Sequence, residues 1–334
     1  MHALQLNGIG QPLHLTEVPT PAPGPGEVLV ELRAAALNHR DVWIQKGQYA
    51  GLRFPCILGS DGAGVVTALG EGADASLLGQ RVLINPGQNW GDNPRAQARS
   101  FTILGLPQQG TFAECVSVPA EKVYALPAHL SFEQAAALPV GGVTAYRSVF
   151  TRAGLQAGER VLITGVGGGV ALLALQLAVA AGAQVWVTSG SGDKLARATA
   201  LGARGGISYH QDNWAADLVK QAGGPFDVIV DSAAGPGFGA LLDAAAPGGR
   251  IVFYGGTLGA ISDLPPAKIF WKQLSILGST MGTEADFAAM VDFVTRHALV
   301  PVVDQVFPLA EGEAAMRRLD EGQQFGKIVL QIKA

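Results

Sequence analysis

Four glycines stand between a short apolar run and a longer one, a pattern that could bind a pyrophosphate. Arg160–Thr164 has the branched apolar side chains of a buried parallel strand. Val170–Ala181 is apolar almost all round, as a buried helix is. Glycines at such a strand–helix corner let backbone N–H groups approach a phosphate at the positive end of the helix. The candidates for this contact are Gly165, Gly168, Gly169 and Val170.

The glycine spacing departs from the strict G-x-G-x-x-G fingerprint, because Val170 stands where the last glycine is expected. The run fits G-x-x-G-x-x-A, with Gly165, Gly168 and Ala171 at its fixed positions. A glycine-rich turn alone is a weak signal. Here Gln184–Thr188 follows as a second strand, so strand, turn, helix and strand occur in the order that dinucleotide binding requires. The alternative is a structural turn in an α/β protein that binds no nucleotide.

The end of the second strand indicates which dinucleotide is preferred. An acidic residue there would bond the ribose 2′-hydroxyl of NAD and repel a 2′-phosphate. This chain has small hydroxyl residues, Ser189 and Ser191, with Lys194 close behind, which leaves room and positive charge for a phosphate. We interpret Asp193 as the N-cap of the following helix, pointing away from the ribose. The sequence therefore predicts NADP(H) as the cofactor rather than NAD(H).

Helical and extended patterns alternate after this corner, as in a doubly wound parallel sheet. The predicted helices are Asp193–Leu201, Trp214–Ala222 and Gly239–Ala245. The predicted strands are Gly206–Tyr209, Phe226–Asp231, Arg250–Gly255 and Leu274–Ser279. With the first two strands they make a six-stranded α/β nucleotide-binding domain, which we place at 141–281.

The remaining residues, 1–140 and 282–334, are richer in strand patterns and form the second predicted domain. It contains a strand at Glu27–Ala36, a short helix at His39–Gln45 and a long polar loop at 86–109. A helix at Thr144–Ala153 is predicted just ahead of the glycine corner. The cleft between the two domains is the expected substrate site.

Composition limits the classes of function and partner. The chain has 334 residues, 48% hydrophobic and 15% charged, which predicts a globular protein with a sizeable core. The net charge of −4 and the lack of a basic run argue against nucleic acid or an anionic membrane as partner. Two cysteines without a C-x-x-C pair exclude a cysteine-rich zinc site and favour a reducing compartment. With no secretory signal pattern and no clean membrane span, we expect a cytoplasmic protein.

Four segments together resemble the medium-chain dehydrogenase/reductase superfamily over essentially the whole length. They are ALNHRDVWIQKGQY (36–49), LGSDGAGVV (58–66), LPVGGVTAY (138–146) and the glycine turn with its strands. The resemblance implies a Rossmann dinucleotide-binding domain inserted in a GroES-like catalytic domain. It also implies an oxidoreductase that uses a nicotinamide cofactor.

Zinc alcohol dehydrogenases of this superfamily bind their catalytic metal through residues of the first three segments: a Cys, a His-Glu pair and a last ligand. At the corresponding positions this chain has Asn38, Ser60 with Asp61, and Val140. The loop that holds a four-cysteine structural zinc in such enzymes corresponds to 86–109, which has no cysteine. Because zinc selects thiolate and imidazole, the resemblance implies that both metals are absent. A reduced metal site built from His39, Asp41 and Asp61 is the alternative.

The chain is more similar to the zinc-free quinone oxidoreductase branch, from which it departs in His39, Arg40 and the long loop. That similarity implies a set of side chains around the nicotinamide, namely Asn38, Tyr49, Ser60 and Thr144. One or two of them would donate hydrogen bonds to the substrate oxygen, in the role that zinc plays elsewhere. The alternatives are structural: Asn38 and Thr144 could be plain helix caps, and Tyr49 could pack at the rim.

The same resemblance assigns further residues to the cofactor. Ser189, Lys194 and Tyr209 would meet the 2′-phosphate. The ends of the fifth and sixth strands carry Tyr254, Gly255, Ser279 and Thr280, where the nicotinamide should lie beyond the carboxyl ends of the sheet. Lys327 is expected to reach the phosphates, unless it is an ordinary surface residue of its strand.

Together these observations predict an NADPH-dependent, zinc-free reductase that transfers hydride to a quinone, an enone or a small carbonyl compound. A conjugated substrate suits weak donors, because its negative charge spreads over several atoms. The alternatives are a zinc-type alcohol dehydrogenase and a non-catalytic NADPH-binding protein. The predicted strand Leu274–Ser279 ends its sheet, and such an edge often pairs with a second copy, so we expect a homodimer.

Overall fold

The computed structural model describes residues 1–262 and 264–333. The chain divides into two compact units: Met1–Val140 together with the chain from Gly282 onward, and Gly141–Met281. No helix in the described ranges combines the length and the apolar character that crossing a bilayer requires.

The N-terminal part of the first unit is built mainly of strands. These are β1 His2–Leu6, β2 His14–Glu17, β3 Glu27–Ala36, β4 Cys56–Ile57, β5 Asp61–Leu69, β6 Arg81–Ile84, β7 Gly87–Gln88, β8 Thr102–Ile103, β9 Cys115–Pro119 and β10 Val123–Ala125. Its helices are α1 His39–Gln45, α2 Phe132–Ala136 and α3 Pro139–Tyr146, the last of which continues into the second unit. Single 3₁₀ turns lie at Ala75–Leu77 and Ala120–Lys122, and a wider π-type turn lies at Arg147–Arg152.

The second unit alternates strands and helices. In chain order they are β11 Arg160–Ile163, α4 Gly169–Ala180, β12 Gln184–Ser189, α5 Gly192–Ala200, β13 Gly205–Ser208, α6 Trp214–Gln221, β14 Phe226–Asp231, α7 Gly239–Ala244, β15 Ala245–Phe253, α8 Pro266–Trp271 and β16 Ser275–Gly278. A 3₁₀ turn, Pro236–Phe238, precedes α7. The strands pair in parallel in the order β13-β12-β11-β14-β15-β16. This is the doubly wound order in which ligands lie beyond the carboxyl ends of the strands.

The chain then returns to the first unit through α9 Glu284–Arg296, β17 Val303–Pro308, α10 Gly312–Asp320 and β18 Lys327–Gln331, with a 3₁₀ turn at Leu309–Glu311. Strands β17 and β18 extend the large sheet, whose order is β10-β6-β5-β3-β18-β17, with β9 also paired to β3. Alternate residues of β3 are fully buried, because one face of this strand packs on the core. The fold class that the sequence predicts, a Rossmann sheet with a GroES-like β-rich part, is confirmed.

Two elements begin well before their predicted starts, for physical reasons. Strand β15 begins at Ala245, not at Arg250, because Ala245 pairs with Phe226 before the register shifts and Arg250 pairs with Val228. The helix expected from Thr144 begins at Pro139, since proline is favoured in the first turn of a helix, where its missing N–H costs nothing. Thr144 therefore lies inside α3 and does not cap it.

Candidate active site

Three neighbouring strands of the first unit bring the main polar cluster together. Strand β3 pairs on one side with β5, where Ala36 faces Asp61, and on the other with β18, where Ala36 faces Val329. Asn38 follows the end of β3, Asp61 begins β5 and Lys327 begins β18. The sheet register thus places side chains from three distant parts of the sequence side by side.

The Lys327 ammonium is the centre of this cluster and is only 5% exposed. Its Nζ donates to the main-chain oxygen of Leu37 at 2.7 Å, to Asn38 Oδ1 at 2.7 Å and to Asp61 Oδ2 at 2.9 Å. Asn38 Nδ2 donates to the same Asp61 oxygen at 3.0 Å, and Val140 N–H donates to Asp61 Oδ1 at 2.8 Å. Both oxygens of the Asp61 carboxylate are therefore engaged within the first unit.

Asp41 is completely buried below Asn38, at the start of α1. Its carboxylate accepts the Asn38 N–H at 2.8 Å and the Gly59 N–H at 3.4 Å. Burial raises the pKa of Asp41 to about 6, although the nearby Arg40 guanidinium opposes the change. A buried carboxyl held by two backbone donors acts here as a fixed support for the Asn38 backbone.

We expect Asp41→Asn to change how stability depends on pH. The folded protein holds the Asp41 proton more tightly than the unfolded chain does, because the pKa of Asp41 is about 6 when folded and near its ordinary 3.8 when unfolded. In wild type the free energy of unfolding therefore falls as the pH rises from about 4 to about 6. The asparagine variant lacks this loss. Its free energy of unfolding relative to wild type should rise by about 2 kcal/mol between about pH 4.5 and pH 7.

Urea unfolding at the two pH values measures this difference. Asp74→Asn is the control, because Asp74 is exposed and a hydrogen bond from Ser76 lowers its pKa, so its titration has the opposite sign. A difference between Asp41→Asn and wild type that stays constant with pH would contradict the raised pKa.

A second group of polar side chains surrounds Arg40, which is 6% exposed. Its Nη1 donates to Ser60 Oγ at 2.6 Å and to the Leu104 oxygen at 2.9 Å, and the Ser60 hydroxyl donates to the same carbonyl at 2.7 Å. The guanidinium lies 5.0 Å from the centre of the Tyr49 ring, and Nε lies 3.5 Å from the Tyr49 hydroxyl oxygen. Among residues 1–262 and 264–333 the Tyr49 hydroxyl accepts from Arg40 and donates to no acceptor, so it can donate its hydrogen to a ligand.

His39 precedes Arg40 and keeps an exposed edge. Desolvation by the surrounding chain lowers the pKa of His39, and the positive charge of Lys327 lowers it further. Within the described ranges, no three histidine, cysteine, aspartate or glutamate side chains converge as a metal-binding group.

The glycine corner of the second unit is shaped for a close ligand. Gly165 donates its N–H to Thr188 Oγ1 at 3.2 Å, and Gly168 is the N-cap of α4. Gly167 has φ +134°, and a Cβ there would lie 2.8 Å from Lys194 Cδ and 3.4 Å from Lys194 Nζ. Glycine is favoured at this position by its backbone angle, which L side chains rarely adopt. The first amides of α4, from Gly169 and Val170 onward, have no carbonyl partner within the helix.

The end of β12 carries the groups expected at a 2′-phosphate. Ser189 is buried and its hydroxyl accepts the Ser191 N–H at 3.3 Å. A Cβ on Gly190 would lie 2.7 Å from the Tyr209 hydroxyl and 2.8 Å from His210 Nε2, so both polar tips converge on this glycine. With Lys194 they form a group of donors at the carboxyl end of the sheet.

The N-cap of α5 corrects the interpretation of Asp193. The cap is Ser191, whose hydroxyl accepts the Lys194 N–H, while Asp193 lies in the first turn with a carboxylate oxygen 3.9 Å from Arg197. Serine two residues earlier takes the role because the helix begins at Gly192, one residue before the predicted start. Asp193 is still directed along α5 and not into the end of β12.

Further polar groups lie at the ends of β11, β14, β15 and β16. Thr164 Oγ1 donates to Asp231 Oδ1 at 2.6 Å, which joins the ends of β11 and β14. Tyr254 follows β15, and burial raises its pKa above the usual range. Ser279 and Thr280 follow β16, and the buried Ser279 Oγ has no hydrogen-bond partner among the residues described. Gly255 lies so close to the Ser232 carbonyl that a Cβ there would be 2.4 Å from it.

The predicted catalytic residues fall into both units. Asn38, Tyr49 and Ser60 lie in the first unit, linked to Lys327 or Arg40, whereas Thr144 lies in the second. Ser60 is completely buried and its hydroxyl hydrogen is committed to a main-chain oxygen, so it reaches a substrate only through a change of partner. Thr144 is 6% exposed and its carbonyl accepts from Ser148 Oγ at 2.7 Å.

The sequence assigned Lys327 to the cofactor phosphates, and that assignment stays a prediction. In the structure its ammonium donates to three acceptors of the first unit. Sequence reasoning also missed Arg40, Thr164, Asp231 and His210 as members of these clusters. For Thr164 and Asp231 a signal existed, since both are polar residues at the carboxyl ends of predicted strands.

Family comparisons agree with this architecture. Residues 24–128 match the alcohol dehydrogenase GroES-like domain, and residues 169–296 match the zinc-binding dehydrogenase domain. A protein of Leptosphaeria maculans called zinc-type alcohol dehydrogenase-like protein YogA is 38% identical over 96% of this chain and 95% of its own. The chain belongs to the medium-chain dehydrogenase/reductase superfamily. The resemblance found in its sequence is confirmed, and it is an oxidoreductase of this type.

Two further members of the superfamily are informative. A crystal structure described as an NAD-dependent alcohol dehydrogenase is 40% identical, covers 100% of both chains and superposes with a TM-score of 0.94. The human quinone oxidoreductase is 29% identical over 99% of this chain and 97% of its own. Relatives of this medium-chain oxidoreductase thus bear the names of both reaction types.

Proposed function

We propose that the protein is an NADP(H)-dependent, zinc-free medium-chain reductase that transfers hydride to a quinone, an enone or a small carbonyl compound. We further propose that it works in the cytoplasm as a homodimer. The observation that carries the proposal is the Lys327–Asp61–Asn38 cluster. By the family resemblance, Asn38 and Asp61 stand at positions that belong to the catalytic metal site in zinc members of the superfamily.

The residues of that cluster do not fit zinc. A carboxylate already bonded to an ammonium, and an amide oxygen bonded to the same ammonium, are poor zinc ligands, and the positive charge of Lys327 would repel a dication. Ser60 and Val140 offer no thiolate or imidazole. The proposed reaction therefore uses no metal ion.

The second unit fits a dinucleotide that carries a 2′-phosphate. The free amides at the start of α4 and the glycine corner suit a pyrophosphate, and Ser279 Oγ is a buried polar atom that lacks a partner among the described residues. At the end of β12, Lys194, Tyr209 and His210 supply donors and charge for the 2′-phosphate, and no acidic side chain replaces Ser189. This arrangement favours NADP(H).

The first unit supplies hydrogen-bond donors for a carbonyl oxygen. When bound, the cofactor supplies hydride to an electrophilic carbon. Tyr49 can donate its hydroxyl hydrogen, because its oxygen already accepts from Arg40, and Asn38 can donate through Nδ2. A delocalised negative charge needs less stabilisation than a localised alkoxide, so neutral donors of this kind suffice for it. Conjugated carbonyl compounds are therefore the expected substrates, and simple alcohols should react poorly.

A zinc-type, NAD-dependent alcohol dehydrogenase is the second candidate, because that is how the 40% identical crystal structure is described. It requires an aspartate, an amide and a hydroxyl to hold a metal in place of thiolate and imidazole. A protein that binds NADPH without turnover is the third reading, which only an assay of turnover distinguishes from an enzyme.

A substrate screen with parallel metal analysis separates the three. The purified protein is assayed with quinones, 2-cyclohexenone, aldehydes and alcohols, using NADPH, NADH and their oxidised forms, after chelation and after adding zinc. We expect turnover of enones or quinones with NADPH that chelation leaves unchanged, and less than one zinc per ten chains. Zinc-dependent oxidation of alcohols with NAD would establish the second candidate, and tight NADPH binding without turnover of any compound the third.

The homodimer proposal depends on the sixth strand. Strand β16 pairs only with β15 in the described sheet, and nearby α8 exposes Phe270 and Trp271, the latter 79% exposed. An unpaired strand edge beside exposed aromatic side chains is a typical contact surface between two copies of a chain.

A further inference from the structure

The side-chain amide of Asn38 is held in one orientation by two groups of opposite charge. Lys327 Nζ donates to its Oδ1 at 2.7 Å, and its Nδ2 donates to Asp61 Oδ2 at 3.0 Å. An ammonium can only donate and a carboxylate can only accept, so the flipped amide would set N–H against N–H and oxygen against oxygen. The ion pair therefore fixes which end of the amide carries the donor.

That orientation leaves one donor unused. Nδ2 has two hydrogens, and in the described part of the chain only Asp61 accepts from it. Asn38 is partly exposed, in contrast to Asp61, which is 0% exposed, and Lys327, which is 5% exposed. The ion pair is thus shielded from solvent, while the Asn38 amide that it orients can still contact a ligand.

The charge of Lys327 also makes Asn38 a stronger donor. Hydrogen bonds in a chain polarise one another, so an amide whose oxygen accepts from a cation gives up its N–H hydrogen to an acceptor more readily. Lys327 itself donates its three hydrogens to Leu37, Asn38 and Asp61. It therefore acts on a ligand through Asn38 and not by direct contact.

We propose that Lys327 is a positioning residue for carbonyl reduction: paired with Asp61, it locks the Asn38 amide so that the free Nδ2 hydrogen is presented to the substrate oxygen. This inference rests on the proposed function, because it assigns the oxygen that Asn38 binds. Lys327 transfers no proton, and the amide stabilises the negative charge that develops on the oxygen when hydride reaches the carbon.

Kinetics of single and double variants test this role. In Lys327→Met we expect kcat for the accepted carbonyl compound to fall about tenfold or more, with Kd for NADPH within about twofold of wild type. Lys327→Arg should recover most of kcat, since it keeps a donor-only cation. Asn38→Ala should lower kcat at least as much, and Lys327→Met should have no further effect in that background.

If kcat of the double variant falls by the product of the two single effects, Lys327 and Asn38 act independently and the proposal is overturned. A rise in the Kd for NADPH at unchanged kcat would overturn it too, because Lys327 would then serve the phosphates. A kcat unaffected by Lys327→Met would leave the residue no role in the reaction.

A second measurement needs neither a folded Lys327→Met variant nor turnover. In ¹⁵N-labelled, NADP-saturated wild-type protein, the Asn38 side-chain amide is assigned by its absence in Asn38→Ala. We expect one Nδ2 hydrogen to exchange with water at least about tenfold more slowly than the other, and the faster one to shift on titration with 2-cyclohexenone. Equal exchange of both hydrogens would contradict the locked amide. If exchange is unequal and 2-cyclohexenone causes the shift, but no compound turns over, the proposed function fails and the amide assignment stands.

Discussion

Lys194→Gln is expected to lower kcat/KM for NADPH about 100-fold and to leave kcat/KM for NADH nearly unchanged. A hydrogen bond to a charged group contributes about 1.5–3 kcal/mol, which corresponds to roughly 10- to 150-fold in affinity. Lys194 lies in the first turn of α5, which follows the end of β12. Its Nζ is 3.4 Å from the position that a Cβ on Gly167 would take. Steady-state kinetics with both cofactors measures the change in preference.

The matched control is Lys220→Gln, a lysine of the last turn of α6 in the same unit, which should change neither cofactor's kinetics. His210→Gln and Tyr209→Phe should each raise KM for NADPH about three- to tenfold, because each loses one donor that converges on Gly190. An equal loss with NADH and NADPH would show that Lys194 serves the pyrophosphate that both cofactors share. No loss with either would favour the NAD preference named for the 40% identical relative.

Local sequence patterns predicted the six parallel strands of the second unit, although not its helix α8, Pro266–Trp271. Strand β14 has the predicted bounds, Phe226–Asp231, and β11 and β12 differ from theirs by one residue each, because buried parallel strands are short apolar runs bounded by turns. Alternation of strands and helices predicts a doubly wound parallel sheet, whereas the order of its strands comes from the structure. In this unit, residues that act together are close in sequence or follow successive strands, so a local pattern also finds most of the candidate cofactor site.

The polar cluster of the first unit could not be found in this way. Lys327 contacts Asn38 across 289 residues of sequence, and the contact exists because β18 is the neighbour of β3 in the sheet. Nothing local in Phe325-Gly326-Lys327 distinguishes a buried lysine from an exposed one. Strand order joins them, and strand order between antiparallel elements is set by long-range pairing that no periodicity reveals.

The helix caps were misassigned for a related reason. Ser191 and Asp193 are both good caps, and the choice between them depends on where the backbone first becomes helical. Thr144 shows the same limit, since Pro139 begins the helix five residues earlier than expected. Competition between neighbouring signals of similar strength leaves boundaries uncertain even where the element itself is clear.

Asp61→Ala should be the most destabilising substitution in the polar cluster, lowering the free energy of unfolding of the first unit by about 3–5 kcal/mol. The aspartate is 0% exposed and accepts from three donors: the Lys327 ammonium, the Asn38 amide and the Val140 N–H. Removing it leaves the buried Lys327 ammonium without its counter-charge, and the Asn38 amide and the Val140 N–H each lose the carboxylate oxygen to which they donate. Urea unfolding followed by hydrogen exchange on peptides of β3 and β18 reports on this unit alone.

Two comparisons separate charge from packing. Asp320→Ala removes the partner of Lys46 in an ion pair with side chains 26% and 42% exposed, and should cost less than about 1 kcal/mol. Asp61→Ala combined with Lys327→Met should recover a large part of the stability lost in Asp61→Ala, because the double variant buries no unpaired charge. A double variant as unstable as Asp61→Ala would contradict this account. The unpaired Lys327 charge would then not be the cause of the instability, and Asp61 would stabilise the fold through the Val140 N–H and through packing.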